Sequence, residues 1–184
     1  MTILIAAVIL VGALCLLDLL LTFGVIRRLR EHTTHLEGLL NTVGMGDAQR
    51  ILGKPVGDFA ATTTDGEPVS RALLSGETVV AFFSPTCGPC KEKAPVFADL
   101  VRAHALDRQQ VLAVVAGDGG EEESARMAGL LEPSARVVMD RGGEDSVAGA
   151  FQISAFPTFC LVDAEGVVRV VDSDADRLLV PADA

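Results

Sequence analysis

Cys87 and Cys90, separated only by Gly88 and Pro89, are the residues whose type and spacing point most directly to chemistry. Two intervening residues let both sulfurs lie on one turn of helix, close enough to close a small disulfide ring. Such a pair stores two electrons as a dithiol and gives them up when the ring closes. The same spacing can serve as half of a zinc site, which needs a second CxxC or a close histidine pair. The chain has 3 histidines, none of them after His104, so no metal is expected and the redox reading is preferred. No other cofactor is expected, because a reversible Cys87–Cys90 disulfide is sufficient redox equipment.

The elements around the pair give the two sulfurs different work. The apolar run ETVVAFFS (77–84) reads as a buried strand. PCKEKAPVFADLVRAHAL (89–106) reads as a helix with apolar spacing at Val96, Phe97, Leu100, Val101 and Ala105, kinked at Pro95. Cys87 then falls at the helix N-terminus, where unpaired N–H groups and the helix dipole favour a thiolate. A helix end contributes about 0.3 to 1 kcal/mol, at most about 2, so the dipole alone lowers the thiol by roughly one pKa unit. Lys91 and a hydrogen bond from Cys90 must supply any more, and Glu92 is a further candidate tuning charge. Cys87 is the expected nucleophile, and Cys90, deeper on the same turn, the expected resolving thiol.

Further along, QVLAVVAG (110–117) and ARVVMD (135–140) read as strands, EEESARMAGLL (121–131) and EDSVAGAF (144–151) as helices. TFCLVD (158–163) and VVRVVD (167–172) form an antiparallel hairpin around Ala164-Glu165-Gly166. Strands alternating with helices and ending in a hairpin predict an α/β sandwich with a mixed central sheet. Cys160, inside one of these strands, reads as a small buried apolar filler in preference to a third redox thiol.

The N-terminal part has a different character. Residues 3–26 form an apolar run of 24 with one charge, Asp18. A spanning helix needs roughly 20 such residues. Asp18 costs about 2.5 to 3.5 kcal/mol at the centre of a span, whereas each Leu, Ile, Val or Phe returns about 0.3 to 0.6. The segment has 16 of these four types, so insertion wins. The expected organisation is a transmembrane anchor over 1–28, a juxtamembrane stalk and linker over 29–53, and a domain over 54–184. Asn41 to Pro55 is rich in Gly and polar residues, and the packed chain is expected to start near Val56. Cys15 reads as helix filler, Asp18 as an acid reaching for the interface, and His32 with His35 as a solvated stalk face. The net charge is −10, with basic residues scattered and outnumbered from Lys54 onward, which excludes a nucleic-acid partner.

The motif Thr86-Cys-Gly-Pro-Cys-Lys91 after an apolar strand, together with Phe156-Pro157-Thr158, resembles the thioredoxin superfamily over about residues 54–172. The insert 118–134, the stretch VGDFAATTTDGEPV (56–69) and the anchor are more similar to its membrane-tethered TlpA/ResA branch. Phe83-Ser-Pro-Thr-Cys87 is also similar to the MauD accessory proteins. The resemblance implies a thioredoxin-like three-layer sandwich and a cis Phe156–Pro157 bond. It also implies a substrate groove lined by Thr86, Gly88, Pro89, Phe156 and Pro157. The implied activity is reduction of protein disulfides, with protein thiol/disulfide substrates and a membrane or soluble electron donor as partners, beside the lipid bilayer itself.

Three positions depart from that pattern: Thr86 stands where thioredoxins have tryptophan, Ala81 where they have a buried acid, and Lys93 where some ResA-like proteins have an acid. The proton route from Cys90 is therefore unassigned. Two other functions belong to similar folds. AhpC/TSA-type peroxidases carry a motif resembling Pro-x-x-x-Thr-x-x-Cys, but here Val80 replaces the proline and Ser84 fills the hydroxyl position. Sco-like copper carriers use cysteines three residues apart and a later histidine, both missing here. Arg27, Arg28 and Arg30 beside the anchor favour a cytoplasmic domain by charge, whereas the resemblance favours an extracytoplasmic one.

Overall fold

The computed structural model describes Arg50–Leu179 apart from Ser75, Asp118 and Glu144, together with Met1, Ile5 and Gly12. The readings made on Cys15, Asp18, Arg27, Arg28, Arg30, His32 and His35 lie outside the described residues, as does nearly all of the expected anchor and stalk. Among the described residues no helix is long and apolar enough to cross a membrane. The chain divides into two units, Met1–Leu40 and Asn41–Ala184, and the second carries the fold below.

A short antiparallel hairpin, β1 (Ala60–Thr62) and β2 (Pro68–Ser70), precedes the main sheet. There follow β3 (Thr78–Phe83), α1 (Gly88–Ala103), β4 (Val111–Ala116), α2 (Glu121–Leu131) and β5 (Arg136–Asp140). The chain continues through α3 (Val147–Ala150), β6 (Thr158–Val162), β7 (Val168–Asp172) and α4 (Asp176–Leu179). The five-stranded sheet has the order β5-β4-β3-β6-β7. β3 runs parallel to β4, and β4 to β5, while β6 is antiparallel to both β3 and β7. This is the mixed central sheet expected from the alternating pattern.

Both faces of the sheet are covered, which is why β3 and β4 are buried at every residue and read as continuous apolar runs. Alternate residues serve alternate faces. Val79, Ala81 and Phe83 pack under α1, α2 and α4 through Cys90, Phe97, Met127 and Leu178. Val80, Phe82 and Cys160 pack on the other side against Phe59, Val69, Val147 and Phe151. Beneath the dithiol helix, Phe83, Phe97 and Phe159 form an aromatic cluster with centroids 5.4 to 5.8 Å apart. Rings in this range add about 0.5 to 1.5 kcal/mol per pair beyond their burial, which gives α1 a firm bed.

Helix α1 differs from its expected form in two ways. Its buried face is Cys90, Ala94, Phe97, Ala98 and Val101, whereas Val96 is 52% exposed. Small alanines at Ala94 and Ala98 hold the helical period on the sheet side, so the larger Val96 is turned outward. The helix continues through Pro95 but stops at Ala103, short of Leu106. Ala105 adopts a φ of 50°, its N–H donates to the Arg102 carbonyl, and the Leu106 N–H donates to Val101. That paired bonding closes the last turn and satisfies carbonyls that a longer helix would have used.

The stretch before Val56 is also more ordered than its Gly-rich composition suggests. Ile51 is buried, Gly53 N–H donates to the Val168 carbonyl at 2.8 Å, and Val168 N–H donates to Lys54 at 3.0 Å. Residues 51–55 are therefore docked on β7. The hairpin β1–β2 and helix α4 were absent from the expected elements because three or four residues are too few to display a period.

Candidate active site

Strand β3 delivers the chain into a tight turn in which Cys87 N–H donates to the Ser84 carbonyl at 3.1 Å. Pro85 and Thr86 occupy the corner positions, and a proline at the first corner presets the required φ. Cys87 is the N-cap of α1, with extended dihedrals of φ −82° and ψ 122°. Gly88 and Pro89 begin the first turn, where the missing proline N–H costs no bond. Cys90 then lies one turn inward, fully buried, and its sulfur accepts the Ser84 N–H at 3.4 Å.

The opposite wall comes from the turn before β6. Phe156 and Pro157 are joined by a cis peptide bond, and Pro157 is buried. The half-buried Cys87 thiol donates to the Phe156 carbonyl at 3.4 Å, bridging a separation of 69 positions. The fold thus brings Cys87, Cys90, Phe156 and Pro157 together, with Thr86, Gly88 and Pro89 on the rim. Thr86 is exposed, and its hydroxyl lies 3.1 Å from that of Ser84.

The two thiols are unequal. Cys87, Cys90 and Cys160 are present as thiols, not joined in a disulfide. The hydrogen bond to Cys87 is the main reason that Cys90 holds its proton far above the ordinary thiol range, and burial adds to it. The Ser84 N–H and the Lys93 ammonium pull the other way, more weakly. A half-buried sulfur at a helix end beside a buried proton donor is the arrangement an attacking and a resolving thiol require.

Of the charged candidates, the Lys91 ammonium pairs with Glu123 on α2 at 2.5 Å and holds that carboxyl below its usual range. Glu92 is exposed on the same turn of α1. The cation whose field reaches Cys90 is Lys93, anchored by donating to the Ser173 carbonyl at 2.7 Å and lying 3.7 Å from Asp174. Its place three residues after Cys90 puts it on the same helix face, a signal available in the sequence. The Ser84 amide is different: a backbone N–H leaves no trace in residue type. Cys160 lies on the other face of the sheet from Cys90, and burial alone pushes its thiol up to about 12. It fills the core, as expected. Ala81 is completely buried in register with Ala113 and Phe159, so it supplies no acid beside Cys90.

Residues 52–171 match the AhpC/TSA family. The protein belongs to that family. Among the curated relatives of this AhpC/TSA protein is the thiol-disulfide oxidoreductase ResA of Geobacillus kaustophilus (strain HTA426), 28% identical over 123 residues, covering 65% of this chain and 68% of the relative. The methylamine utilization protein MauD of Paracoccus versutus is 29% identical over 146 residues, covering 72% and 70%. Of solved structures, the thioredoxin domain of a thiol-disulfide oxidoreductase from Bacteroides vulgatus superposes with a TM-score of 0.56 at 21% identity, over 70% of this chain and 92% of that one. StoA from Bacillus subtilis gives 0.53 at 22% identity, over 69% and 96%. The fold of the AhpC/TSA protein is therefore thioredoxin-like. Val80, at the position of the proline in the peroxidase-type motif weighed above, is buried within β3, opposite Leu112 and Cys160.

Proposed function

We propose that this AhpC/TSA protein is a membrane-tethered thiol–disulfide oxidoreductase that reduces disulfides in protein substrates, using the Cys87–Cys90 pair and no other cofactor. The supporting observation is the unequal pair itself: a half-buried Cys87 at the mouth of a helix, backed by a buried, protonated Cys90. The Cys87 thiolate attacks one sulfur of a substrate disulfide, whose S–S bond breaks to expel a thiolate. Cys90 then gives up its proton and attacks Cys87, closing the Cys87–Cys90 disulfide and releasing the second substrate thiol. Two electrons and two protons pass from the dithiol to the substrate, and a donor dithiol from a membrane or soluble partner restores the starting state. Phe156 and Pro157, with Thr86, Gly88 and Pro89, form the rim against which an extended substrate segment rests. Cys87 has to leave the Phe156 carbonyl in order to react, so that contact belongs to the resting state.

An anchor over 1–28, a stalk after it and a catalytic domain that includes the docked stretch from Ile51 onward accompany this reading, with the apolar run at 3–26 as the single pass and the domain outside the cytoplasm. Retention by a tether matters most where a freely diffusing reductase would be lost. Labelling of Cys87 by a membrane-impermeant thiol reagent in intact cells is the expected result, and labelling only after lysis would place the domain inside. The activity is tested by the reduction potential of the purified full chain against glutathione. A value in the lower half of the range from about −270 to about −120 mV is expected, and one above about −180 mV would overturn the reducing direction.

A further inference from the structure

Gly119 sits in the loop between β4 and α2, outside the dithiol motif, and its packing is unusually constrained. A Cβ at this position would lie 2.2 Å from Pro85 Cγ, 2.7 Å from Pro85 Cβ and 3.4 Å from Thr86 Cγ2. Separations below 3.0 Å cannot be kept, so something must shift. Unlike Gly117 and Gly120, with φ of 102° and 79°, Gly119 does not have a left-handed backbone. Its need for glycine is therefore contact with the proline ring and not conformational freedom.

Both sides of that contact are held. The loop begins at Gly117, whose N–H donates to the Asp140 carbonyl at 3.1 Å, and ends at Gly120, the N-cap of α2. Helix α2 is tied to α1 by the Lys91–Glu123 pair at 2.5 Å. Pro85 is a corner of the turn that sets both sulfurs, since Cys87 N–H bonds to Ser84 O and Ser84 N–H bonds to Cys90 Sγ. Pushing Pro85 rotates this turn, and the turn carries the N-cap thiol with it.

We infer that Gly119 is a positioning residue for the dithiol: the loop rests on Pro85 and holds the Ser84–Cys87 turn in the geometry that aims Cys87 and seats Cys90. The inference rests on the thiol–disulfide reading of the site. Close-packed interiors transmit such displacements, and misplacement of a reacting group by about 1 Å can cost about 100-fold in rate.

The test compares Gly119→Ala in two backgrounds, native and Pro85→Gly, the latter lacking both ring atoms of the clash. Alkylation of Cys87 by iodoacetamide is followed across pH in the full chain, alongside thermal unfolding. With Pro85 present, Gly119→Ala is expected to slow alkylation about tenfold or displace its pH profile; in the Pro85→Gly background it should change neither. Loss of folding in the native background with recovery in the Pro85→Gly background also supports the contact. An unchanged profile with Pro85 present, or an equal loss in both backgrounds, overturns it. Alkylation requires no protein disulfide, so failure of the wild type to reduce substrates would refute the proposed function without touching this outcome.

Discussion

Removing the sulfur of Cys90 should change the reactivity of Cys87 as well as stop turnover. The buried Cys90 thiol and Cys87 share a hydrogen bond that keeps the proton on Cys90. By linkage the same bond stabilises a thiolate on Cys87, its acceptor. A hydrogen bond to a charged group is worth about 1.5 to 3 kcal/mol, or roughly one to two pH units at 1.36 kcal/mol each. Because Cys87 is half-exposed and partly solvated, the lower end applies, so Cys90→Ala should move the midpoint of Cys87 alkylation up by about one unit. Cys90→Ser keeps an O–H donor at the same place and should move it much less. Both variants lack the resolving sulfur and should accumulate a mixed disulfide through Cys87, visible as one substrate adduct per chain by mass spectrometry. The assay is the pH dependence of iodoacetamide modification in the two variants and the wild type. Equal midpoints in all three would refute the claim that Cys90 donates to the attacking sulfur, even if the adducts form.

Lys93→Met removes the ammonium that favours ionised Cys90 and should slow resolution by less than about tenfold, since this side chain is over a third exposed. A larger steady-state fraction of mixed disulfide would show it, and an unchanged fraction would remove Lys93 from the site. For Cys160, folded and unfolded chains both keep the proton below the ordinary thiol value of 9.0, whereas above it only the unfolded chain loses it until about 12. Stability should therefore fall across that window by up to about 1.4 kcal/mol per pH unit, and Cys160→Ala should flatten the fall in urea titrations. Matching slopes would mean that Cys160 ionises in the folded protein. Phe97→Ala, within the ring cluster below α1, should cost about 3 to 5 kcal/mol, whereas the outward Val96→Ser should stay within about 0.5. A large loss at Val96 would show that this face of α1 is covered.

The strand–thiol–helix unit was legible because each part is local: an unbroken apolar strand, two cysteines on one turn, and a helix start marked by Gly-Pro. The order of the later strands and helices followed from the same periodicities, and EEESARMAGLL matches α2 from first residue to last. Periodicity went astray where size competed with position, as at Val96, and where the helix end depended on backbone bonding at Ala105 and Leu106. Docking of Ile51 and Gly53 on β7 was hidden because composition reports the freedom of a segment and not the partner that removes it.

Taken alone, the sequence pointed to thiol–disulfide chemistry and to the two sulfurs proposed to carry it, since thiol chemistry is a property of residue type at fixed spacing. Tertiary structure decided how those sulfurs are used. Folding set the Phe156 carbonyl against Cys87 across 69 positions, turned Lys91 toward Glu123, and left Lys93 as the cation acting on Cys90. It also put Gly119 against Pro85, a contact with no counterpart in any local pattern. Hydrogen bonds need heavy atoms within about 3 Å and charges in salt are largely screened beyond about 10 Å, so which groups tune a thiol is settled by which chain segments fold against it.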